Sequence, residues 1–177
     1  GTGSYTIIAQ TAAEMMGVPI DKVVVLLGDS SFPVSAGSGG QWGGNSSTSG
    51  VYAACVKLRE TVALKAGLDP ATAVFENGKV KAGRKSLSLA RIAGPSGLSA
   101  EDSIEFGDLG EKFAQSTFGA HFAEVGVDAD TGEIRVRRMS GAFAAGRILN
   151  PKSARSQVIG AMTMGVGAAL MEEAVVD

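Results

Sequence analysis

A basic segment without carboxylates, residues 134–171, is the part of the chain whose residue types point most clearly to ligand binding. It contains no Asp or Glu, although the whole chain has a net charge of −2. Six of the 16 Lys and Arg residues lie in it: Arg135, Arg137, Arg138, Arg147, Lys152 and Arg155. Within it, Asn150-Pro151 predicts a helix start, because Asn favours the N-cap and Pro favours the first helical position. A helix start has unpaired backbone N–H groups and the positive end of the helix dipole, so we expect it to bind an anion, such as a ligand phosphate.

The helix predicted after Pro151 is rich in glycine. Gly160, Gly165 and Gly167 each cost ~1 kcal/mol of helix propensity relative to Ala. That cost predicts a group packed closely on the helix. A ligand would satisfy this prediction, and so would a sheet packed against the helix with the arginines in solvent.

A second glycine-rich segment, residues 30–49, contains the run SAGSGGQWGGNSSTSG. It lacks GxGxxG, because Trp42 stands where the third glycine would be, and it lacks GxxxxGK[ST]. Long loops in compact domains are either functional or flexible, and both interpretations stay open. The only tryptophan, Trp42, favours a binding role, in which the glycines would contact a phosphate or a planar ring.

Other reactive residue types lack the company that their chemistry needs. His121, the only histidine, lies on a predicted strand without a GxSxG motif, and Cys55 lies on an apolar helical stripe as a core residue. The segment 128–133 is typical of a hairpin turn rather than a calcium loop. No cluster of His, Cys and Asp has metal-ligand spacing. We therefore expect no catalytic residue and no protein-held metal in this chain.

The elements that must position these residues predict an α+β fold, a two-layer mixed sheet with packed helices. We expect a helix ending at Gly17, a strand at 22–27 buried on both faces, a helix with its apolar stripe at Val51, Cys55, Leu58 and Val62, a turn at Asn77-Gly78, a short helix at 86–92, and a hairpin pairing 120–128 with 133–139. The predicted organisation is a first cofactor-binding lobe at 1–93, a linker at 94–118 and a second lobe at 119–177.

Composition excludes several classes of protein. A hydrophobic content of 45% over 177 residues argues against disorder, and the near-neutral charge argues against general nucleic-acid binding. No apolar run reaches the ~18 residues of a membrane span. The single cysteine excludes an internal disulfide.

Several motifs, in order along essentially the whole chain, resemble the molybdenum-cofactor segment of large subunits in the xanthine dehydrogenase/aldehyde oxidoreductase family, especially its bacterial aldehyde oxidoreductase branch. They are GTGSYTIIAQTAAE, SAGSGGQWGG, VYAAC, VDADTGEIRVRR, Leu149-Asn150-Pro151, Gln157, and a glycine-bearing helix ending in Glu172-Glu173.

The resemblance implies a molybdenum–molybdopterin cofactor, whose dithiolene sulfurs hold the metal, in its cytosine dinucleotide form. The residues that it implies contact the cofactor are Gly1, Thr2, Gly43, Gly44, Arg147, Ile148, Leu149, Asn150, Pro151, Lys152, Ser153 and Gln157. It also implies an enzyme that oxidises aldehydes or N-heterocycles with water as the oxygen source. FAD and 2Fe-2S clusters are expected on partner subunits.

Two departures from the family pattern limit this expectation. Gly1-Thr2-Gly3 replaces the Gly-Gln-Gly of many members, so the contact made by that Gln side chain is missing. The catalytic Glu of the family lies in a GExxxxG-like segment beyond the final helix, and this chain has no such segment. We therefore expect a fragment, inactive alone, that binds the cofactor together with the remainder of the large subunit. A non-catalytic nucleotide- or phosphate-binding module and a structural domain without a ligand are the alternatives.

Overall fold

The computed structural model describes residues 1–35, 37, 39, 42–105, 107–114 and 116–176. The chain divides into two compact units, Gly1–Phe106 and Gly107–Asp177. The helices are α1 (Ser4–Met16), α2 (Gly43–Lys65), α3 (Leu89–Ala93), α4 (Leu109–Lys112) and α5 (Pro151–Leu170). The strands are β1 (Val74–Glu76), β2 (Lys79–Ala82), β3 (Lys85–Ser88), β4 (Phe118–Val127) and β5 (Ile134–Ala144).

The α+β class predicted from the sequence is confirmed. Helices combine with two small sheets, one ordered β1-β2-β3 and one formed by β4 and β5. The predicted mixed pairing is not observed among the described residues, where every strand pair is antiparallel. The reason is local: short turns connect neighbouring strands, and a parallel pair would need a crossover of a dozen or more residues.

The first unit packs α1, α2 and α3 with the three-stranded sheet. Its core consists of Val62, Ala63, Ala66, Ala73, Phe75, Val80 and Ile92. The turn between β1 and β2 is the predicted one, because Asn77 and Gly78 both adopt positive φ, 50° and 69°. Two successive positive φ angles match the twist of a tight hairpin, which explains the choice of Asn-Gly.

Helix α1 ends as predicted at Gly17, whose φ of 61° closes the helix with a left-handed residue. Only glycine fits at this position. A Cβ atom added to Gly17 would lie 2.3 Å from the carbonyl oxygen of Phe75. The backbone of β1 therefore approaches the end of α1 directly, and the amide of Gly78 donates to the carbonyl of Gly17 at 2.8 Å.

The buried strand predicted at residues 22–27 is wrong. A short 3₁₀ helix occupies Ile20–Lys22, and the described residues that follow, 23–27, belong to no strand. Val24 is 80% exposed and Leu26 is 68% exposed. An apolar run favours burial, but a strand also needs a hydrogen-bonded neighbour, and the apolar pattern does not supply one.

Two further predictions need correction. The loop predicted at 30–49 is helical from Gly43 onward, where α2 begins, and residues 36, 38, 40 and 41 lie outside the described part. The helix predicted at 86–92 is instead β3 followed by α3, because β3 pairs with β2 in a register that places Val80 opposite Leu87. Tertiary pairing overrides local propensity at such short elements.

The first part of the predicted linker packs on the first unit. Leu98 contacts its core, and Lys57 Nζ donates to the carbonyl of Glu101 at 2.9 Å. The lobe boundaries given above stay a prediction.

The second unit contains the predicted hairpin, which is confirmed and longer than expected. Ten residue pairs join β4 to β5, with a bulge between Glu124 and Val125. The ring of Phe143 covers two strand glycines, since a Cβ atom at Gly119 or Gly141 would lie 2.5 or 2.7 Å from it. Among the described residues of β4, β5 and α5, none is buried. No described helix has the length and apolar character needed to cross a membrane.

Candidate functional site

The start of α5 has the predicted cap. Asn150 has extended backbone angles, and its side-chain oxygen accepts hydrogen bonds from the amides of Lys152 at 3.0 Å and Ser153 at 3.2 Å. The amide of Ala154 donates to the carbonyl of Asn150 at 3.0 Å. Pro151, the first helical residue, has no N–H group.

This cap corrects one part of the sequence argument. The predicted unpaired amides at this helix start are occupied, because Asn150 accepts from all three N–H groups that follow Pro151. An anion here would therefore be held by the helix dipole and by side chains. The cap makes the helix start stable and leaves recognition to the residues around it.

The side chains predicted to contact a cofactor surround this start. Lys152 and Gln157 are exposed, Ser153 is half-buried, and Ser153 and Gln157 lie one helical turn apart on the same face. Arg147 follows Gly146, whose φ of 72° turns the chain out of β5. Ile148 and Leu149 are 47% and 36% exposed. The second unit thus offers cationic and amide side chains on a capped helix.

The first unit has a different kind of group that could bind an anion, at the starts of α1 and α2. Neither helix has a side-chain cap, and neither has an acidic residue in its first turn. In α1, the carbonyl of Gly3 accepts from the amides of Thr6 and Ile7. In α2, the first helical amide with a described acceptor is that of Ser46, which donates to the carbonyl of Trp42 at 2.9 Å. The amides of Gly43, Gly44 and Asn45 have no acceptor among the described residues.

The packing of α1 on α2 brings these two starts to the same end of the first unit. A Cβ atom at Gly44, in the first turn of α2, would lie 3.5 Å from Cδ1 of Ile7 in the second turn of α1. Further along both helices, Arg59 donates to the carbonyl of Met15. The helices therefore run in the same direction, and their positive dipole ends add.

Four of the predicted site residues lie at this end of the first unit. Gly1 and Thr2 lead into α1, where the Thr2 and Ser4 hydroxyl oxygens are 3.1 Å apart, and Gly43 and Gly44 open α2. The other eight lie in the second unit, around the start of α5. An open cleft of about 490 Å³ lies near the other end of α1, beside Met15 and Arg59, and no predicted site residue lines it.

Sequence reasoning missed that residues 30–59 also lack Asp and Glu. This acid-free run contains the whole start of α2, including Asn45. A search of the whole sequence for runs without Asp and Glu, the criterion used for residues 134–171, would have found it. Absence of carboxylates at a helix start preserves the positive potential that attracts an anion.

The remaining reactive residue types have structural roles. Cys55 is confirmed as a core residue at 7% exposure, and burial raises the pKa of its thiol. His121 lies with its ring 4.8 Å from that of Phe143, edge to face. Asp128 accepts from the Thr131 amide, the Thr131 hydroxyl and the Asp130 amide, as expected for a hairpin turn. In the part of the chain that the structure describes, no group of three His, Cys, Asp or Glu side chains could hold a metal ion.

Comparison with known proteins gives the family. The model of the molybdopterin cofactor-binding domain family matches residues 1–177. The chain belongs to this family. It is 66% identical to the aldehyde oxidoreductase molybdenum-binding subunit PaoC of Escherichia coli K12, over all of this chain and 24% of that protein.

Two further proteins match nearly the whole chain at lower identity. The gamma subunit of the 6-hydroxypseudooxynicotine dehydrogenase complex of Paenarthrobacter nicotinovorans is 28% identical over 98% of this chain and 24% of its own length. Quinoline 2-oxidoreductase from Pseudomonas putida 86 matches in structure with a TM-score of 0.81 and 26% identity, over all of this chain and 24% of that chain. The chain thus spans about a quarter of the length of these relatives.

The residues present fit such a cofactor. The donors at the helix starts are backbone N–H groups, hydroxyls and the ammonium of Lys152, all of which bind phosphate oxygens. Gly43 is buried and Gly44 is half-buried, and a Cβ atom at Gly44 would point toward Ile7 of α1. A molybdopterin has its own sulfur ligands for the metal, so this chain needs to provide only groups that bind anions.

Proposed function

We propose that this chain holds the phosphate-bearing part of molybdopterin within a longer molybdenum-binding subunit of an aldehyde-oxidising enzyme. The observation that carries the proposal is that two helix starts without side-chain caps or first-turn acidic residues, at Gly3 and at Gly43, lie at the same end of the first unit. Two aligned dipoles without local carboxylates favour a polyanion over a neutral ligand.

The basic helix start of the second unit is proposed, on its own residues, as a further anion-binding surface for such a cofactor. There the capped backbone leaves recognition to Arg147, Lys152, Ser153 and Gln157, with Ile148, Leu149, Asn150 and Pro151 setting the path of the chain. A guanidinium and an ammonium group suit phosphate oxygens, while a Gln amide can both donate and accept. Such an amide suits the polar edge of a pterin.

The proposal also covers the nucleotide form of the cofactor, the reaction and the partner subunits. We propose the cytosine dinucleotide form, whose diphosphate adds negative charge for these donors. The bound cofactor would supply the redox chemistry that oxidises an aldehyde, or an N-heterocycle, with water as the source of the oxygen atom. Partner subunits carrying FAD and 2Fe-2S clusters would accept the electrons. The names of the relatives, an aldehyde oxidoreductase subunit and a dehydrogenase complex subunit, support this assignment.

The sharpest test places a carboxylate at the α2 start without disturbing the fold. Asn45→Asp adds an acid to the first turn, which stabilises a helix by ~0.3–1 kcal/mol in the absence of a ligand. In the assembled enzyme we expect molybdenum content, measured by plasma mass spectrometry, to fall at least about fivefold while thermal stability of the apo form is kept. Asn77→Asp, the same change in a turn of positive φ, is the matched control.

Variants in the second unit complete the test. Arg147→Ala and Gln157→Ala should lower molybdenum content as well. Unchanged molybdenum in Asn45→Asp, Arg147→Ala and Gln157→Ala together would contradict the proposal. Retained binding of a phosphorylated ligand in an enzyme without molybdenum would favour the alternative of a nucleotide- or phosphate-binding module.

A further inference from the structure

Trp42 occupies the N-cap position of α2, directly before the two glycines of the proposed phosphate site. Its indole N–H donates to the carbonyl of Gly37 at 3.0 Å, and its backbone amide donates to the carbonyl of Gly39 at 3.1 Å. A Cβ atom at Gly39 would lie 3.3 Å from the indole ring. Gly37 and Gly39 thus lie against the indole and fix its orientation.

The remaining surface of this indole is open. Trp42 is 56% exposed, although it is held by a hydrogen bond and by ring contact. An exposed tryptophan that packs for stability alone would bury most of its large apolar area. The indole N–H is already used, so the group that Trp42 can offer to a ligand is its ring surface.

We propose that the ring of Trp42 stacks on a planar heterocycle of the ligand whose phosphates lie at the start of α2. This inference rests on the proposed function and deepens it. A rigid aromatic ring beside an anion site matches a ligand in which a flat ring is joined to phosphate, because stacking and phosphate contacts then act on neighbouring parts of one molecule. Both rings of a dinucleotide molybdopterin, the pterin and the nucleobase, have this chemistry.

The test compares three soluble probes on the assembled enzyme prepared without its cofactor, and the signal of Trp42 is the difference in fluorescence between that enzyme and its Trp42→Phe variant. Inorganic pyrophosphate has phosphates alone, cytidine diphosphate adds a nucleobase, and dihydroneopterin triphosphate adds a pterin. We expect pyrophosphate to bind without large quenching of Trp42. One of the two ring-bearing probes should quench it and bind about tenfold more tightly, and its identity distinguishes nucleobase from pterin. Free N-acetyltryptophanamide in a parallel titration corrects for absorption of light by the probes.

Two variants separate stacking from loop support. Trp42→Phe keeps an aromatic ring but loses the N–H bond to Gly37, whereas Trp42→Ala loses both. By calorimetry, we expect Trp42→Phe to bind the preferred probe within about threefold of the unsubstituted enzyme, and Trp42→Ala to bind it no better than pyrophosphate. If Trp42→Ala fails to fold, the quenching of Trp42 and the affinity of Trp42→Phe for the preferred probe still test whether the ring stacks.

Three results would overturn the inference. One is equal binding of all three probes, which leaves the phosphate site intact if Asn45→Asp still weakens pyrophosphate binding. Another is a loss in Trp42→Phe as large as that in Trp42→Ala, which would assign the effect to the Gly37 bond. The third is absence of pyrophosphate binding, which would count against the proposed function as well.

Discussion

The side-chain oxygen of Asn150 lies 3.0 Å from the amide nitrogen of Lys152 and accepts its hydrogen bond. Variants of Asn150 can therefore test helix stability and ligand binding separately at the start of α5. Asn150→Asp keeps an acceptor for the same amides and adds a negative charge to the proposed cofactor contact. Asp and Asn are equally good N-caps, so we expect stability within a few tenths of a kcal/mol. Molybdenum content should nevertheless fall, because the carboxylate repels phosphate.

The companion variant Asn150→Ala should show the opposite pattern, with lower stability and with molybdenum content retained. Removing the cap costs ~1 kcal/mol of stability while releasing the amides of Lys152 and Ser153 toward a ligand. Thermal unfolding and metal content, measured on both variants, check this pair. Equal molybdenum loss in both would mean that Asn150 acts through folding alone.

Gly17→Ala should be strongly destabilising. The new methyl group would meet the Phe75 carbonyl oxygen at 2.3 Å, and the left-handed φ of 61° would be strained as well. We expect a loss of about 3 kcal/mol or more in urea unfolding, combining backbone strain and overpacking. Gly83→Ala is the matched control, since Gly83 has φ of 56° with no atom within 4 Å of an added Cβ. A loss of only ~1 kcal/mol is expected there, and similar losses at both positions would refute the steric argument.

Asp128 should make the hairpin sensitive to acid. The Thr131 amide, followed by its hydroxyl and the Asp130 amide, holds the pKa of Asp128 below its ordinary value of 3.8. A lowered folded-state pKa gives stability that is present above 3.8 and is lost as the pH falls through the folded-state value. NMR of the Thr131 amide should therefore show its titration below pH 3.8, and Asp128→Ala should abolish it. Asp130→Ala, in the same turn, should leave it in place.

Cys55 should be chemically inert in the folded chain. Burial raises the pKa of its thiol, and Arg59 offsets this only in part. A thiol that stays protonated and covered reacts slowly, because the thiolate is the nucleophile. We expect a disulfide reagent at pH 8 to label Cys55 at least about a hundredfold more slowly in buffer than in 6 M guanidinium chloride. Comparable rates would show that this part of α2 opens readily.

Local chemistry accounts for the features that the sequence predicted correctly. Gly17 as a helix end, Asn77-Gly78 as a turn, Asn150-Pro151 as a capped start and the long hairpin all depend on backbone preferences of a few adjacent residues. The apolar stripe of α2 is equally local, because its period places Cys55 and Val62 on one buried face.

Tertiary structure decided what depends on distant partners. Residues 22–27 have the composition of a buried strand, yet no described strand pairs with them, and β3 exists because β2 offers it a register. The site follows the same division. The amino-acid sequence by itself determined which residues could bind an anion, since acid-free runs and cap residues are read position by position. Only the packing of Ile7 against Gly44 placed two helix starts at one end of the first unit, and only the Asn150 side chain decided which backbone amides are already occupied.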